Sequence, residues 1–139
     1  MSEPTADEPT ASEPTASDAV RRDDVLWLAT TRPDGRPHLT PIWYRFVEDR
    51  FWMCATARAV KVRNLEANPA CTVALADIVR PTVAEGRARV HRREAGPFPA
   101  PVVAAFVAGF DWDIDTDPDG YTRLIEVHVD RWLYGGPPT

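Results

Sequence analysis

The eleven residues Pro37–Val47 constrain the fold most. They alternate, with His38, Thr40, Ile42, Tyr44 and Phe46 on one face and Leu39, Pro41, Trp43, Arg45 and Val47 on the other. Both faces carry large apolar groups, so this long strand is expected to be covered on both sides. Before it, Val25–Thr31 reads as a strand and Pro33-Asp34-Gly35 as a tight turn. There proline sets φ and glycine accepts a positive φ. After it, Glu48-Asp49 turns the chain into a third strand, Arg50–Thr56, so the segment predicts consecutive antiparallel hairpins.

The rest of the chain continues in short pieces. Residues 58–67 read as a helix stopped by Asn68-Pro69. Ala70–Ala76 is a fourth strand, and Thr82–Arg93 a fifth with Gly86 as a bulge. Phe98–Phe110 has helical spacing, its start confined by Pro97, Pro99 and Pro101. An acidic loop, Asp111–Gly120, leads into a last strand, Tyr121–Tyr134, where Leu124, Glu126, His128 and Asp130 oppose Ile125, Val127 and Val129. Six strands and two or three short helices predict a mainly β chain, a closed antiparallel barrel with helical lids. Closure would protect its strand edges.

Residues 1–19 stand apart. They repeat Glu-Pro-Thr-Ala from Glu3, Glu8 and Glu13, with no large apolar side chain before Val20 except Met1. Such a segment cannot offset its conformational entropy by burial, so it is predicted to be disordered, leaving 20–139 as one folded domain. The net charge of -5 resides in this tail, which holds five of the 21 acids and no lysine or arginine. The remaining 16 acids and 16 bases balance. A neutral domain with an acidic tail offers no footprint for nucleic acid and repels anionic membranes. No run of about 18 apolar residues predicts a membrane span. The acidic N-terminus shows no apolar region of a signal peptide. Cys54 and Cys71 lie in strand-like runs without zinc spacing and are expected as buried thiols of a cytoplasmic protein.

No familiar catalytic set is present: no Gly-x-Ser-x-Gly, no His-Glu-x-x-His, no P-loop. His38, His91 and His128 are far apart in sequence. The carboxylates of Asp111, Asp113, Asp115, Asp117 and Asp119 lack the glycine and glutamate that a calcium loop needs. No metal site is expected and no catalytic side chain is assigned, which leaves the chemistry to a bound cofactor. The one lysine among fifteen arginines, Lys61, falls in the first turn of the 58–67 helix. Helix N-termini bind phosphate through unsatisfied N–H groups, and an ammonium adds a point charge. Thr56 is expected to cap this helix and donate to the same anion. Asn64, three residues on, lies close to Lys61 on the helix surface. Arg63 lies about 200° around the helix from Lys61 and ranks below them. Val62 and Leu65 would face the core.

Thr31-Arg32-Pro33-Asp34-Gly35-Arg36-Pro37-His38-Leu39-Thr40-Pro41-Ile42-Trp43-Tyr44 resembles the first hairpin of the pyridoxamine-phosphate-oxidase-like flavoproteins. The stretch from Lys61 through Asn68-Pro69 to Leu75 resembles their helix-then-strand segment, in the same order. The Lys-x-Arg-Asn-Leu wording, with the Arg- and Ala-rich composition, is most similar to the deazaflavin (coenzyme F420)-dependent branch. The resemblance implies a six-stranded antiparallel split β-barrel of the FMN-binding type with short flanking helices. It also implies a homodimer with the cofactor at the subunit interface. Five tryptophans, at 27, 43, 52, 112 and 132, suit such an interface. Thr40, Pro41, Ile42 and Trp43 would line the ring, and Ala55, Thr56, Lys61 and Asn64, with Arg63 beside them, the phosphate end.

The implied activity is hydride transfer between F420 and an unsaturated small organic substrate. Relatives with these motifs use FMN or other cofactors. An FMN-dependent oxidoreductase and a non-enzymatic flavin- or haem-binding carrier or sensor therefore stand as alternatives. FMN lacks the polyglutamate tail of F420, for which Arg58, Arg80 and Arg87 are candidate partners. The Arg-rich C-terminal segment with which the oxidase proper grips pyridoxal phosphate has no counterpart here, so vitamin B6 oxidation is not expected.

Overall fold

A computed structural model describes residues 16–135. In chain order the elements are α1 (Ala16–Arg22), β1 (Val25–Thr31), β2 (Pro37–Trp43), β3 (Arg45–Val47), β4 (Arg50–Ala55), α2 (Val60–Ala67), β5 (Ala70–Leu75) and β6 (Val83–Arg92). A 3-10 turn (Arg93–Ala95), α3 (Ala100–Phe110) and β7 (Arg123–Tyr134) follow. All strands join one antiparallel sheet in the order β2-β1-β5-β6-β7-β4-β3.

The sheet has seven strands, not six, and the difference is one residue. The long run Pro37–Val47 breaks at Tyr44. Its first part pairs with β1 at one edge of the sheet, and its second part pairs with β4 at the other edge. Tyr44 N–H still donates to Asp24 O (3.0 Å), one rung beyond the Val25–Trp43 pair, while its hydroxyl donates to Val20 O (2.9 Å), and the chain passes from one edge to the other at this residue. Consecutive Cα atoms lie about 3.8 Å apart, so the two edges must meet at this corner and the sheet must curl. Among the described residues β2 and β3 share no ladder, so the curl is not closed by hydrogen bonds. β2 carries Pro37 and Pro41, which an edge strand tolerates because it needs fewer donors.

The expectation that Pro37–Val47 is covered on both faces fails for β2. Its inward residues His38, Thr40 and Ile42 are half-buried, but Leu39 is 61% exposed and Trp43 52%. Residues 16–19, which the repeat pattern assigns to a disordered tail, form the first turn of α1. The rest of that expectation concerns residues outside those described.

Two cores share the strands. Leu26, Leu28, Tyr44, Phe51, Met53, Val73, Ile125 and Val127 fill the inside of the curl, with Val62 and Leu65 of α2 closing one end. Trp52, Cys54 and Leu124 point the other way and meet Phe98, Val102 and Phe106 beneath α3. β4 is therefore buried on both faces from Phe51 to Ala55. Cys54 and Cys71 are buried free thiols, and burial pushes each up to about 12. Gly86 sits at a register shift of the β6–β7 ladder, as expected of a bulge. A Cβ there would lie 2.1 Å from His128 O, so only glycine fits. Pro33-Asp34-Gly35 forms its turn with Gly35 at φ 90°, its N–H donating to Arg32 O (2.8 Å). Glu48 and Asp49 both take positive φ, as a two-residue hairpin turn requires. Among the described residues no helix is long and apolar enough to cross a membrane.

Candidate functional site

A cavity of about 560 Å³ opens where β2, the end of β4 and the start of α2 converge. Pro41, Ile42 and Trp43 supply one wall, and Cys54, Ala55 and Thr56 the floor. Ala59 and Lys61 close one end, while Trp112, Asp117, Asp119 and Tyr121 form the opposite side. A space of this size suits a cofactor-sized molecule. Pro41, Ile42, Trp43, Ala55, Thr56 and Lys61 are thus brought together from three separate stretches of sequence.

The remaining candidates lie elsewhere. Thr40 turns its hydroxyl to Pro41 O (3.1 Å). Asn64 is 2% exposed and donates to Thr30 Oγ1 (3.0 Å), tying α2 to β1. Arg63 and Asn64 line a second cavity of about 340 Å³ with Arg32, Pro33, Asp34, Arg36 and Val60. Thr56 does not cap the helix. The chain makes a turn first, Ala59 N–H donating to Thr56 O (3.1 Å), and α2 begins after Ala59 with no side-chain cap. Its first turn carries no acid either, which leaves the orphan N–H groups of a helix start open to an anion.

The basic end is under-neutralised. Lys61 is half-buried and has no ion pair among the described residues, and burial lowers its ammonium from the ordinary lysine range. His38 is lowered as well, by burial and by the charges of Arg32 and Lys61, and its buried Nδ1 has no hydrogen-bond partner among the described residues. Arg36 is engaged by Asp34 (2.8 Å). The first turn of α2 thus stands between two cavities, with Lys61 on one and Arg32, Arg36 and Arg63 on the other.

The opposite side is acidic and held in place. Arg93 donates to Ile114 O (2.6 Å) and Asp117 O (3.3 Å), anchoring the loop between α3 and β7. The Asp117 carboxylate accepts from Trp112 Nε1 (2.9 Å), Asp119 N–H (2.8 Å) and Tyr121 N–H (3.1 Å). Burial opposes its ionisation, but these donors and Arg93 outweigh burial and hold it below the usual carboxylate range. Trp112 packs edge-on against Trp43 (6.4 Å) and Tyr121 (5.3 Å). The composition of this loop reads as solvated, so Trp112, Asp117, Asp119 and Tyr121 escape the sequence-based candidate set. The available signal was two aromatic residues bracketing the carboxylates.

A separate polar group lies on β4, β6 and β7. Glu126 is buried and meets His91 Nε2 (2.7 Å), His128 Nε2 (2.8 Å) and Arg50 (3.1 Å). The histidines, distant in sequence, thus share one carboxylate. Among the described residues no three His, Cys, Asp or Glu side chains are placed to hold a metal ion.

The structure resembles several solved proteins over most of its length. One is described as an F420 reductase (23% identity, TM-score 0.65, 88% of this chain and 98% of that one). Another is HutZ, described as a haem storage protein, from Vibrio cholerae (17%, TM-score 0.70, 86% and 92%). A third is General Stress Protein 26 from Bacillus anthracis (18%, TM-score 0.65, 88% and 92%). At these identities the likeness establishes the fold alone. No curated protein matches the sequence. The family profile described as Pyridoxamine 5'-phosphate oxidase matches residues 12–134, nearly the whole chain, and the protein belongs to that family.

Proposed function

We infer that the chain is a cytoplasmic, homodimeric oxidoreductase that uses coenzyme F420 to reduce an unsaturated small organic molecule. The observation that carries this reading is the pair of cavities flanking the start of α2. One offers an aromatic-walled space ending at an ammonium without a counter-ion. The other presents Arg32 and Arg63, with Arg36 paired to Asp34, as cations for a chain of carboxylates beyond the phosphate. FMN would use Lys61 but leave that second set idle. Arg32, Arg36 and Arg63 join Arg58, Arg80 and Arg87 as candidate tail partners.

When bound, a deazaflavin supplies the hydride-transfer chemistry. The residues of this chain would bind, orient and exclude water. Lys61 and the uncapped first turn of α2 would hold the phosphate. Pro41 has no N–H to offer, so the backbone beside Ile42 and Trp43 gives a flat ring an edge to lie along. Trp43 would shield one side of that ring from solvent. Fixing two reactants in one orientation accounts for much of the rate such a site can supply.

The homodimer is supported by the outer face of β1 and β2. Trp27 pairs with Pro41, and Ala29 with Leu39, which places Trp27, Leu39 and Trp43 outward on one apolar stripe. Contiguous exposed apolar surface of this kind marks an association site. For a haem carrier the cavity offers Tyr121 as a candidate axial ligand but, among the described residues lining it, no histidine or methionine, and burial raises the Cys54 thiol to about 12 while it donates to Tyr121 O. Titrating the purified protein with F420, FMN and haem tests the assignment. F420 binding at least tenfold tighter than FMN supports it; preferential FMN or haem binding replaces it with the corresponding alternative.

A further inference from the structure

The large cavity is electrically lopsided. Its α2 end carries Lys61, and its opposite side carries Asp117 and Asp119, with Trp43, Trp112 and Tyr121 beside the acids. The two ends do not neutralise each other, since Lys61 makes no ion pair among the described residues and its shift has burial as its only resolved cause. Asp117 is consumed in holding the loop, its oxygens taken by Trp112, Asp119 and Tyr121. Asp119 is different: its backbone N–H is used, but its exposed carboxylate has no partner among the described residues. The loop that presents it is fixed from behind by Arg93 and by Asp115, which accepts from Phe98 N–H (2.9 Å).

An anionic cofactor placed with its phosphate at Lys61 leaves this acidic, aromatic side for the second reactant. Aromatic faces attract cations, best when the cation is planar enough to stack, and a carboxylate nearby adds to that attraction. The same carboxylates repel anionic and give nothing to neutral apolar molecules. We propose that this cavity selects planar organic cations, such as N-alkylated heteroaromatic rings, held against the Trp112–Tyr121 pair with Asp119 as the countercharge. The proposal rests on the reading that this cavity is the functional site, and it narrows the substrate class within it. Asp119 is the specificity-determining residue, and Lys61 has no part in it.

The test uses the full chain without cofactor and calorimetric titration with two probes of equal size: N-methylquinolinium and the uncharged 2-methylquinoline, at neutral pH. Wild type should bind the cation roughly tenfold tighter than the neutral ring. Asp119→Asn should bring that ratio down to about two or below, with far-ultraviolet circular dichroism and melting temperature unchanged, because this side chain holds nothing in the fold. Lys61→Ala should leave the ratio as high as in wild type or raise it. A wild-type ratio near one, a ratio indifferent to Asp119→Asn, or no binding of either probe at millimolar concentration overturns the proposal. Because no cofactor is present, the outcome is separate from the F420 titration: cation selectivity without F420 binding would sink the cofactor assignment alone, and F420 binding without cation selectivity would sink this one alone.

Discussion

Removing the ammonium of Lys61 should cost affinity for the phosphate of the cofactor and nothing else. The side chain is half-buried, burial already lowers its ammonium from the usual lysine value of 10.5, and no acid pairs with it among the described residues. A phosphate arriving there exchanges an unpaired charge for a charge-assisted hydrogen bond, worth about 1.5–3 kcal/mol. A fully exposed pair would give only about 0–1 kcal/mol. Half-burial places Lys61 between these limits, at about 1–2 kcal/mol, which is roughly a 5- to 30-fold rise in Kd for Lys61→Ala. The assay is a fluorescence titration with paired ligands: F420 against its deazaflavin chromophore lacking phosphate, and FMN against riboflavin. The loss should appear in the phosphorylated member of each pair only. Affinity should also fall as pH rises toward the lysine value, because only the protonated ammonium attracts the anion. Its folded-state value is depressed, so the fall begins below 10.5. Equal losses for riboflavin and FMN, or no loss for either, would show that Lys61 does not meet the phosphate.

Four further outcomes follow from the geometry. Glu126→Gln should lower stability by about 1–3 kcal/mol near neutral pH, seen as a lower denaturation midpoint, because His91, His128 and Arg50 lose their shared carboxylate. Burial opposes Glu126 ionisation, but the His91 hydrogen bond with the His128, His91 and Arg50 charges holds it below 4.5; its contribution is therefore complete above 4.5 and lost as pH falls through the lower folded value, an acid sensitivity the variant should lack. Gly86→Ala should destabilise by at least about 2 kcal/mol, since its methyl group would overlap a strand carbonyl, and a melting temperature unchanged within a degree would contradict the contact. Asn64→Ala should cost about 1–3 kcal/mol of stability through the stranded Thr30 hydroxyl while changing cofactor Kd less than threefold, separating a positioning role from a binding one. Sedimentation at micromolar concentration should show the proposed dimer in the wild type and a monomer in Leu39→Glu; a monomeric wild type would remove the dimer, and an unaltered dimer in the variant would move the interface off the β1–β2 face.

The sequence disclosed what local chemistry controls. The Asn68-Pro69 stop, the Gly35 turn and the Gly86 bulge each depend on one or two residues and fell where expected. The break at Tyr44 was not legible, because alternation continues through it; the Tyr44 hydroxyl is held by Val20 of another segment, a contact that spacing does not reveal. The exposure of Leu39 and Trp43 was missed for a related reason, since alternation tells which residues share a face but not whether anything covers it. Helix geometry put Asn64 near Lys61, yet Thr30 draws Asn64 inward, and a cap at Thr56 failed because an extra turn precedes the helix. The acidic side of the cavity lies about fifty residues from Lys61, and only the ladder of β4 with β7 brings them opposite.

The cavity is built from two materials with different tolerance for change. Its floor is the end of β4, where Cys54 and Ala55 belong to separate cores on opposite faces of one strand. Any enlargement there must be accommodated twice, so the floor admits almost no variation that leaves the protein folded. Its far side is a loop whose scaffold is the backbone, pinned by Arg93 and Asp117, while Asp119 holds nothing up. Ligand preference can therefore drift through single substitutions on that side without passing through an unstable intermediate. A saturation library would register this as a sharp boundary, intolerant on one wall and permissive on the other, across a single cavity.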